Sequence, residues 1–277
     1  MSSKRSIAVI VGSVATLLTV LGSASTATIT GGLLQVGTDL TYPPYDYMDA
    51  SNTPSGFDVE FMKAISKAAG LEPKFLDTRF ENLIIGVSGD KFDVIASALY
   101  VKPERAQQVD FIPYMKTGVS IAGSVRAASR PETPEDLCGL KVSSIKAAAW
   151  IANLQELSRT TCAAKGFGPI DVREFPTSPE ATQALLSGGV DAQMEDSAVL
   201  QQAVAATSGK IAILSKAPLY PVVVGLGFKK GNTGLKKTIS DALEKLKADG
   251  SYDALLAKYN VSRASDDEFK HAVGASK

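Results

Sequence analysis

The sequence predicts an α/β fold made of two similar lobes, with a ligand-binding cleft between them. Apolar segments of strand length alternate with amphipathic segments of helix length from residue 33 onward, which is typical of parallel sheets. The alternation restarts after residue 117, and Gly89–Val94 and Gly188–Ala192 repeat one pattern, an aspartate at a strand start shortly after glycine. A cleft between two such lobes is a natural site for a small molecule.

The first lobe begins with a strand over residues 33–39 and the loop Tyr42-Pro43-Pro44-Tyr45, where the prolines exclude a helix. Asp58 is the expected N-cap of the helix that follows. The remaining predicted elements of this lobe are a strand at 73–76, a helix at 82–88 and a buried strand at 92–96.

The strand at 92–96 ends in small residues, Ser97 and Ala98, and Arg105 follows within ten positions. Ligands of open α/β sheets bind beyond the carboxyl ends of the strands. A guanidinium there provides a fixed charge and a planar fork that suits a carboxylate. We therefore expect Arg105 to bind a ligand; the alternative is a surface ion pair with Glu104 or Asp110.

The second lobe repeats the alternation, and the chain is expected to cross near residues 117–123 and return near 217–224. This predicts a first lobe of residues 28–119 plus 220–277 and a second lobe of residues 120–219. Its predicted strands are 118–122, 141–144, 171–175, 189–194 and 211–214, and its helices are 133–137, 147–157, 178–186 and 197–206. A strand at 222–228 and helices at 232–248 and 252–259 then complete the first lobe, and the polar tail from Ser262 to Lys277 is expected to fray.

Composition argues against several classes of function. The formal net charge is zero, so nothing points to nucleic acid or an anionic membrane surface. The chain has one histidine, His271, which argues against histidine-based catalysis and against a histidine-rich metal site. There is no Walker or GxGxxG loop, so we predict no nucleotide cofactor. Two cysteines and the distant His271 supply too few ligands for a metal site, so we predict no metal, and we predict no catalytic residue.

The N-terminus has the layout of a secretory signal peptide. Lys4 and Arg5 precede an apolar run over residues 7–21, and small residues follow. The alternative is a membrane anchor, but the run is short and interrupted by polar residues. We predict a signal peptide over residues 1–27, cleaved near Ala27 or Ala24. With no cysteine nearby, the exported protein is expected in the periplasm and not as a lipoprotein.

Export also bears on the two cysteines, Cys138 and Cys162. They lie 24 positions apart, each next to a predicted helix end. A lone pair in an oxidising compartment is expected to form a disulfide, and the alternative is two buried free thiols.

Several motifs in this order resemble family 3 of the extracellular solute-binding proteins, the polar amino-acid-binding components of ABC importers. The resemblance covers about residues 33 to 260. The motifs that carry it are Gly37-Thr38-Asp39, Tyr42-Pro43-Pro44-Tyr45, Gly56-Phe57-Asp58-Val59-Glu60, the block 92–114 with Pro103-Glu104-Arg105, Asp136-Leu137-Cys138-Gly139-Leu140-Lys141-Val142, and Gly189-Val190-Asp191-Ala192.

The resemblance implies a type II two-lobed fold with two crossover strands, which closes on a ligand like a hinged trap. It implies delivery of an amino acid or derivative to a permease in the inner membrane, and we expect the protein to be a monomer. It also implies that Arg105 pairs with the ligand's α-carboxylate and Asp196 with its α-ammonium. The other residues expected beside the ligand are Asp39, Tyr42, Phe80, Ser97, Ala98, Tyr100, Ala147 and Ala148.

Each assignment has a structural alternative. Asp196 can be the N-cap of the helix at 197–206, and Asp39 can hold its turn through hydrogen bonds. Tyr42 and Phe80 can be packing residues. The chain also departs from the family pattern, with Lys102 where a threonine is usual, with Ala98 and Tyr100 where hydroxyls or glycine often occur, and with Ala147-Ala148-Ala149-Trp150 where the family usually has Gly-Thr or Gly-Ser.

Two other functions remain open from the sequence. Cyclohexadienyl dehydratase resembles this family, and Glu195 or Asp196 can supply the general acid that its elimination chemistry needs. A ligand sensor is the other function, and it would need a separate signalling partner.

Overall fold

The computed structural model describes residues 28–274, and the predicted signal peptide, residues 1–27, lies outside them. The strands are β1 Leu33–Thr38, β2 Thr41–Tyr42, β3 Asp46–Met48, β4 Pro54–Ser55, β5 Glu72–Asp77, β6 Val94–Ile95, β7 Val109–Ser124, β8 Lys141–Ile145, β9 Asp171–Phe175, β10 Ala192–Asp196, β11 Ile211–Ile213 and β12 Leu219–Lys229. The α-helices are α1 Phe57–Ala69, α2 Leu83–Ser88, α3 Pro103–Ala106, α4 Ile151–Leu157, α5 Ser178–Leu186, α6 Ser197–Ala206, α7 Thr233–Ala248, α8 Ser251–Lys258 and α9 Asp266–Ala272.

One sheet runs through both halves of the molecule, in the order β5-β1-β6-β12-β7-β10-β8-β9, with β11 also paired to β7. We call the part around β5, β1 and β6 the first lobe, and the part around β10, β8 and β9 the second lobe. Within each of these parts the strands are parallel. The predicted two-lobed α/β architecture is confirmed.

The long strands β7 and β12 connect the lobes. They pair with each other from Leu219 opposite Val119 to Lys229 opposite Val109, and beyond Val119 β7 continues beside β10. The two predicted crossovers are therefore these two strands. The lobe boundaries at 119/120 and 219/220 stay a prediction, and β7 changes its pairing in this region.

The two lobes repeat one local device, which explains the repeated aspartate in the sequence. The Asp93 carboxylate accepts a hydrogen bond from the backbone N–H of Gln35, at 2.8 Å. The Asp191 carboxylate accepts one from the N–H of Lys141, also at 2.8 Å. In each case an aspartate at the start of one strand fixes the neighbouring parallel strand.

The sequence predicts a strand only at 118–122 in this region, whereas β7 runs without a break from Val109 to Ser124 and passes through Pro113. Proline cannot donate to a sheet ladder, so within a strand it is found at edges and irregularities. The pairing of β7 with β12 shifts register between Val224 and Gly225, and Gly225 lies opposite Pro113. The irregularity lets the strand pass through the proline.

The expected N-cap role of Asp58 is wrong. The helix α1 is capped by Gly56, whose φ of +114° suits glycine and whose Cβ position is blocked by the Tyr45 carbonyl. Asp58 is therefore already inside the first turn and points inward. Its carboxylate accepts from the N–H of Ala98 at 2.6 Å and from the Tyr114 hydroxyl at 2.8 Å.

The expectation that the tail frays is wrong for residues 266–272, which form α9. A capping box between Ser265 and Glu268 starts this helix. Phe269 and Val273 pack against the apolar cluster that contains Val101 and Val223. Burial of this apolar face holds the segment on the first lobe.

The structure contains a disulfide between Cys138 and Cys162, with Cα atoms 5.4 Å apart. It ties the turn before β8 to the segment after α4. Closure of a loop of this length stabilises the fold by about 3 kcal/mol in the chain-entropy treatment. Within residues 28–274, no helix has the length and apolar character needed to cross a bilayer.

Candidate functional site

A small enclosed cavity lies between the two lobes. Its volume is about 10 Å³, which is close to the room that a single water molecule requires. Predicted site residues that line it are Tyr42, Phe80, Ala98, Tyr100, Arg105 and Ala148, and the wall is completed by Ile145, Ala149 and Trp150. The lobes are thus closed on each other, with aromatic side chains filling most of the cleft.

Arg105 is the cation of this cavity. It lies in α3, directly after the loop that follows β6, and its side chain is buried. Nη1 donates to the Tyr100 carbonyl at 2.9 Å, and Nη2 donates across the cleft to the Ala147 carbonyl at 3.0 Å. The guanidinium carbon lies 5.5 Å from the centroid of the Phe80 ring, within cation–π range.

Arg105 does not form the surface ion pair that was the alternative to ligand binding. Among residues 28–274, no carboxylate lies within 4.0 Å of its guanidinium, and Asp110 is paired with Lys230 instead, at 3.1 Å. Burial lowers the pKa of Arg105 to about 10, so the group stays charged at neutral pH. A buried cation whose direct acceptors are carbonyls has strong binding capacity for an anion.

Asp196 is the anion of the opposite lobe, and it is fully buried at the end of β10. It is the N-cap of α6, as the structural alternative held, and accepts from the N–H groups of Ala198 and Val199. Three hydroxyls also donate to it: Tyr45 at 3.0 Å, Tyr100 at 2.7 Å and Thr117 at 2.9 Å. Asp196 does not line the cavity, but Tyr100, which donates to it, does.

Glu195 precedes Asp196 and forms a second contact between the lobes. The Tyr42 hydroxyl donates to its Oε1 at 2.6 Å. Within the described chain, Oε2 has no partner at hydrogen-bond geometry, although the Ser178 hydroxyl is near enough to lower the pKa. Burial has the larger effect and raises the pKa of Glu195 to about 7.

Burial and these contacts set the other pKa values of the site. Burial raises the pKa of Asp196 above its usual range, against the lowering effect of the donated hydrogen bonds. Burial and the nearby carboxylates hold the pKa values of Tyr42 and Tyr100 well above that of a free tyrosine. Both hydroxyls therefore remain protonated and act as donors at neutral pH.

Asp39 and Ser97 lie behind the cavity wall and do not line it. The Asp39 carboxylate accepts from the Thr41 hydroxyl at 2.7 Å and from the Phe80 N–H at 2.9 Å. Arg79 pairs with it at 2.8 Å, and the Asp39 N–H donates to Ser97 Oγ at 3.0 Å. The contact with Thr41 corresponds to the turn-holding alternative given for Asp39, and the bond from Phe80 also fixes the Phe80 segment.

The second-lobe wall differs from the prediction at Ala147. The expected helix at 147–157 begins only at Ile151, and Ala147 has a φ of +61° in the turn before it. Its carbonyl faces Arg105, and Ala148 lines the cavity.

Trp150 and Ile145 belong to the site but were not among the residues predicted from the sequence. The Trp150 ring lies 5.7 Å from that of Tyr100 in an edge-on arrangement, and its Nε1 donates to Ser144 Oγ. A signal was available, because Trp150 is the one tryptophan in the chain and follows three alanines at a predicted strand-to-helix turn.

Comparisons with known proteins place this geometry in a family. The sequence model of the bacterial extracellular solute-binding proteins, family 3, matches residues 34–262. The L-cystine-binding protein TcyJ of Escherichia coli K12 is 27% identical over 229 residues, which are 82% of each chain.

Solved structures agree. An ancestral arginine-binding protein bound to glutamine is 31% identical, covers 83% of this chain and 98% of its own, and has a TM-score of 0.76. The ancestral amino acid-binding protein AncCDT-1, a precursor of cyclohexadienyl dehydratase, is 30% identical over 82% of this chain and 95% of its own, with a TM-score of 0.69. The predicted type II two-lobed fold is confirmed.

Proposed function

The chain belongs to family 3 of the bacterial extracellular solute-binding proteins, and we propose that it captures an amino acid or a related zwitterion and delivers it to an ABC permease in the inner membrane. Relatives named for the binding of cystine and arginine support this ligand class. In this proposal the segment 1–27 is removed on export, and the protein acts as a monomer in the periplasm without a lipid anchor.

Arg105 carries the proposal. Its guanidinium is buried between the lobes and bonded to one carbonyl from each of them. A ligand carboxylate in the cleft would gain a charge-assisted bond without breaking an ion pair of the protein. Burial of a carboxylate without such a partner would cost several kcal/mol, so Arg105 is the residue that makes an anionic group acceptable here.

Asp196 is the proposed partner of the ligand's ammonium. It lies in the lobe opposite Arg105, so a zwitterion that binds both residues would hold the lobes together. Since the closed cavity has a volume of only about 10 Å³, ligand entry requires the lobes to separate. A hinge at the two crossover strands, β7 and β12, allows this motion.

We propose binding without catalysis. Glu195, one of the two acids considered for this chemistry, has a pKa of about 7 but is completely buried behind Tyr42 and does not line the cavity. This arrangement supports the dehydratase alternative less well than binding. Incubation with prephenate and arogenate, followed by absorbance, should give no turnover; formation of the aromatic product would make the protein an enzyme.

The test of the function is a thermal-unfolding screen of the exported protein against the L-amino acids, opines and betaines. A ligand at a hundred times its dissociation constant stabilises the folded state by about 2.7 kcal/mol, which is a shift of several degrees. We expect at least one such shift, followed by calorimetry to give the affinity. A complete panel with no shift would contradict the proposed function.

A further inference from the structure

Three hydroxyl contacts between the lobes join the tyrosines of the first lobe to the acidic pair of the second. Tyr42 donates to Glu195, and Tyr45 and Tyr100 donate to Asp196. The Tyr100 bond, at 2.7 Å, is the shorter of the two tyrosine bonds to Asp196. Side chains of the protein thus already donate to the Asp196 carboxylate, which is the group that the proposed function assigns to a ligand ammonium.

Asp196 has no spare acceptor capacity in this arrangement. Oδ1 accepts from Tyr45 and from the start of α6, and Oδ2 accepts from Tyr100 and Thr117. A carboxylate oxygen has about two lone-pair sites. An incoming donor must therefore displace one that is already present, and the Tyr100 hydroxyl is the donor attached to a cavity-lining ring.

The Tyr100 ring also occupies the room that a ligand needs. It is 5% exposed and lies against Trp150, which is 4% exposed, and together they leave the small cavity described above. The hydroxyl and the ring therefore act together, since displacement of the hydroxyl moves the ring away from the space beside Arg105.

We propose that Tyr100 sets ligand selection in this cleft: in the closed ligand-free form its hydroxyl occupies the acceptor on Asp196 and latches the lobes, and a ligand with a cationic nitrogen that enters when the lobes separate takes the place of this hydroxyl. This inference rests on the proposed function for the identity of the site. A neutral ligand hydroxyl would only exchange one neutral donor for another. An ammonium adds its own positive charge to the hydrogen bond with the carboxylate, so the exchange gains free energy.

The first test needs no ligand, because Trp150 is the chain's only tryptophan and reports on the cleft. In Tyr100→Phe the ring stays but the hydroxyl is lost, so the ligand-free protein should open more. We expect a red shift of Trp150 fluorescence and a larger radius of gyration by small-angle X-ray scattering. Unchanged emission and radius would overturn the latch.

Tyr114→Phe is the matched control. The Tyr114 hydroxyl is also buried and donates to a carboxylate, Asp58, at 2.8 Å, but both residues lie in the first lobe. This variant should lose stability without a change in Trp150 emission or radius. An equal response of both variants would mean that Tyr100 acts only through general stability, and the proposal would fail.

The second test measures affinity by calorimetry for pairs of L-alanine and L-lactate, L-leucine and L-2-hydroxyisocaproate, and L-phenylalanine and L-phenyllactate. In Tyr100→Phe, which lacks the competing hydroxyl, any accepted amino acid should bind about tenfold or more tighter than in the wild type. The reason is that the ligand no longer has to break the hydrogen bond from Tyr100 to the charged Asp196 carboxylate. A packing role alone would weaken binding or leave it unchanged.

The outcomes separate the latch from the proposed function. If Tyr100→Phe opens the lobes but the wild type binds nothing in the full panel, the proposed function fails and the latch stands. If amino acids bind the wild type but Tyr100→Phe neither opens the lobes nor tightens binding, the function stands and the latch is overturned.

Discussion

The two buried charged residues of the cleft, Arg105 and Asp196, differ in the hydrogen-bond partners that the protein itself provides. Arg105, in the first lobe, bonds to two carbonyls and, within residues 28–274, to no carboxylate. Asp196, in the second lobe, accepts five hydrogen bonds, three of them from hydroxyls. Both side chains are almost completely removed from water.

This difference gives the two ends different energetic roles. A carboxylate that reaches Arg105 adds an ion pair to an end that has none, so this end contributes affinity. A donor that reaches Asp196 must first break a bond within the protein, so this end contributes stability to the closed form and discriminates among ligands. Mutation of the two ends should therefore affect different measurements.

The largest effect is expected for Arg105→Ala on ligand affinity. A ligand carboxylate buried without its cation loses about 3–5 kcal/mol, so binding should weaken at least a hundredfold by calorimetry. The free energy of unfolding should change by only about 1 kcal/mol, because desolvation of the cation is relieved as two hydrogen bonds are lost.

Arg105→Lys is the matched variant for charge. A lysine keeps the cation but lacks the planar fork, so its affinity should fall between those of the wild type and the alanine variant. Wild-type affinity in Arg105→Ala would remove Arg105 from the site and leave the first-lobe end of the cleft without a function.

Asp196→Ala should show the opposite pattern, with its main effect on stability. The substitution removes the cap of α6, worth about 1 kcal/mol, and leaves buried hydroxyls without their acceptor, at about 1–3 kcal/mol. Urea unfolding without ligand should show a loss of about 2–4 kcal/mol in total. A stability equal to that of the wild type would mean that the tyrosine contacts do not hold the closed form.

The sequence predicts the first end of the cleft better than the second. Arg105 follows its strand within ten residues, so local order places it at the cleft. The partners of Asp196 lie far away, with Tyr45 separated by 151 residues and Tyr100 by 96. Their contact depends on how closely the lobes approach, which no local pattern encodes.

The fold shows the same division between local and non-local signals. The spacing of apolar residues predicts the order of helices and strands, because in each of them this spacing marks the face that is buried. The full length of β7 was not predicted, because its passage through Pro113 depends on the opposite strand, which lies over a hundred residues later in the chain and has an irregularity at Gly225. In the tail, the capping box of Ser265 and Glu268 was a local signal for α9 that the polar composition obscured.

Glu195 provides a smaller, pH-dependent test of the second-lobe end. Its pKa rises from an ordinary 4.5 to about 7 on folding, so the folded state holds a proton that the unfolded state has lost. The stabilisation from this group is complete below pH 4.5 and is lost as the pH rises to about 7. The free energy of unfolding, measured in urea at about pH 5 and pH 7.5, should therefore change less with pH in Glu195→Gln than in the wild type. The difference should be about 3 kcal/mol at most.

Asp58→Asn separates the cleft from the lobe interior. Burial also raises the pKa of Asp58 to about 7, so removal of this carboxyl group should reduce the pH dependence of the free energy of unfolding over the same range. Asp58 bonds within the first lobe, to Ala98 and Tyr114, whereas Glu195 bonds across the cleft to Tyr42. Only Glu195→Gln should change the Trp150 emission, and an unchanged pH dependence in Glu195→Gln would contradict the proton assignment.

The smallest effect is expected at the rim of the cleft, where Lys146 of the second lobe pairs with Glu81 of the first at 2.6 Å. The two side chains are 53% and 27% exposed, and exposed pairs contribute about 0–1 kcal/mol. Glu81→Gln should weaken ligand affinity by no more than about fivefold at low salt, and the difference should vanish near 0.5 M salt. Glu156→Gln, which breaks an exposed pair with Arg159 inside the second lobe, should leave affinity unchanged. A rim effect as large as that of Arg105→Ala would place the affinity of the cleft at its solvent-exposed edge and refute the contrast between its two buried ends.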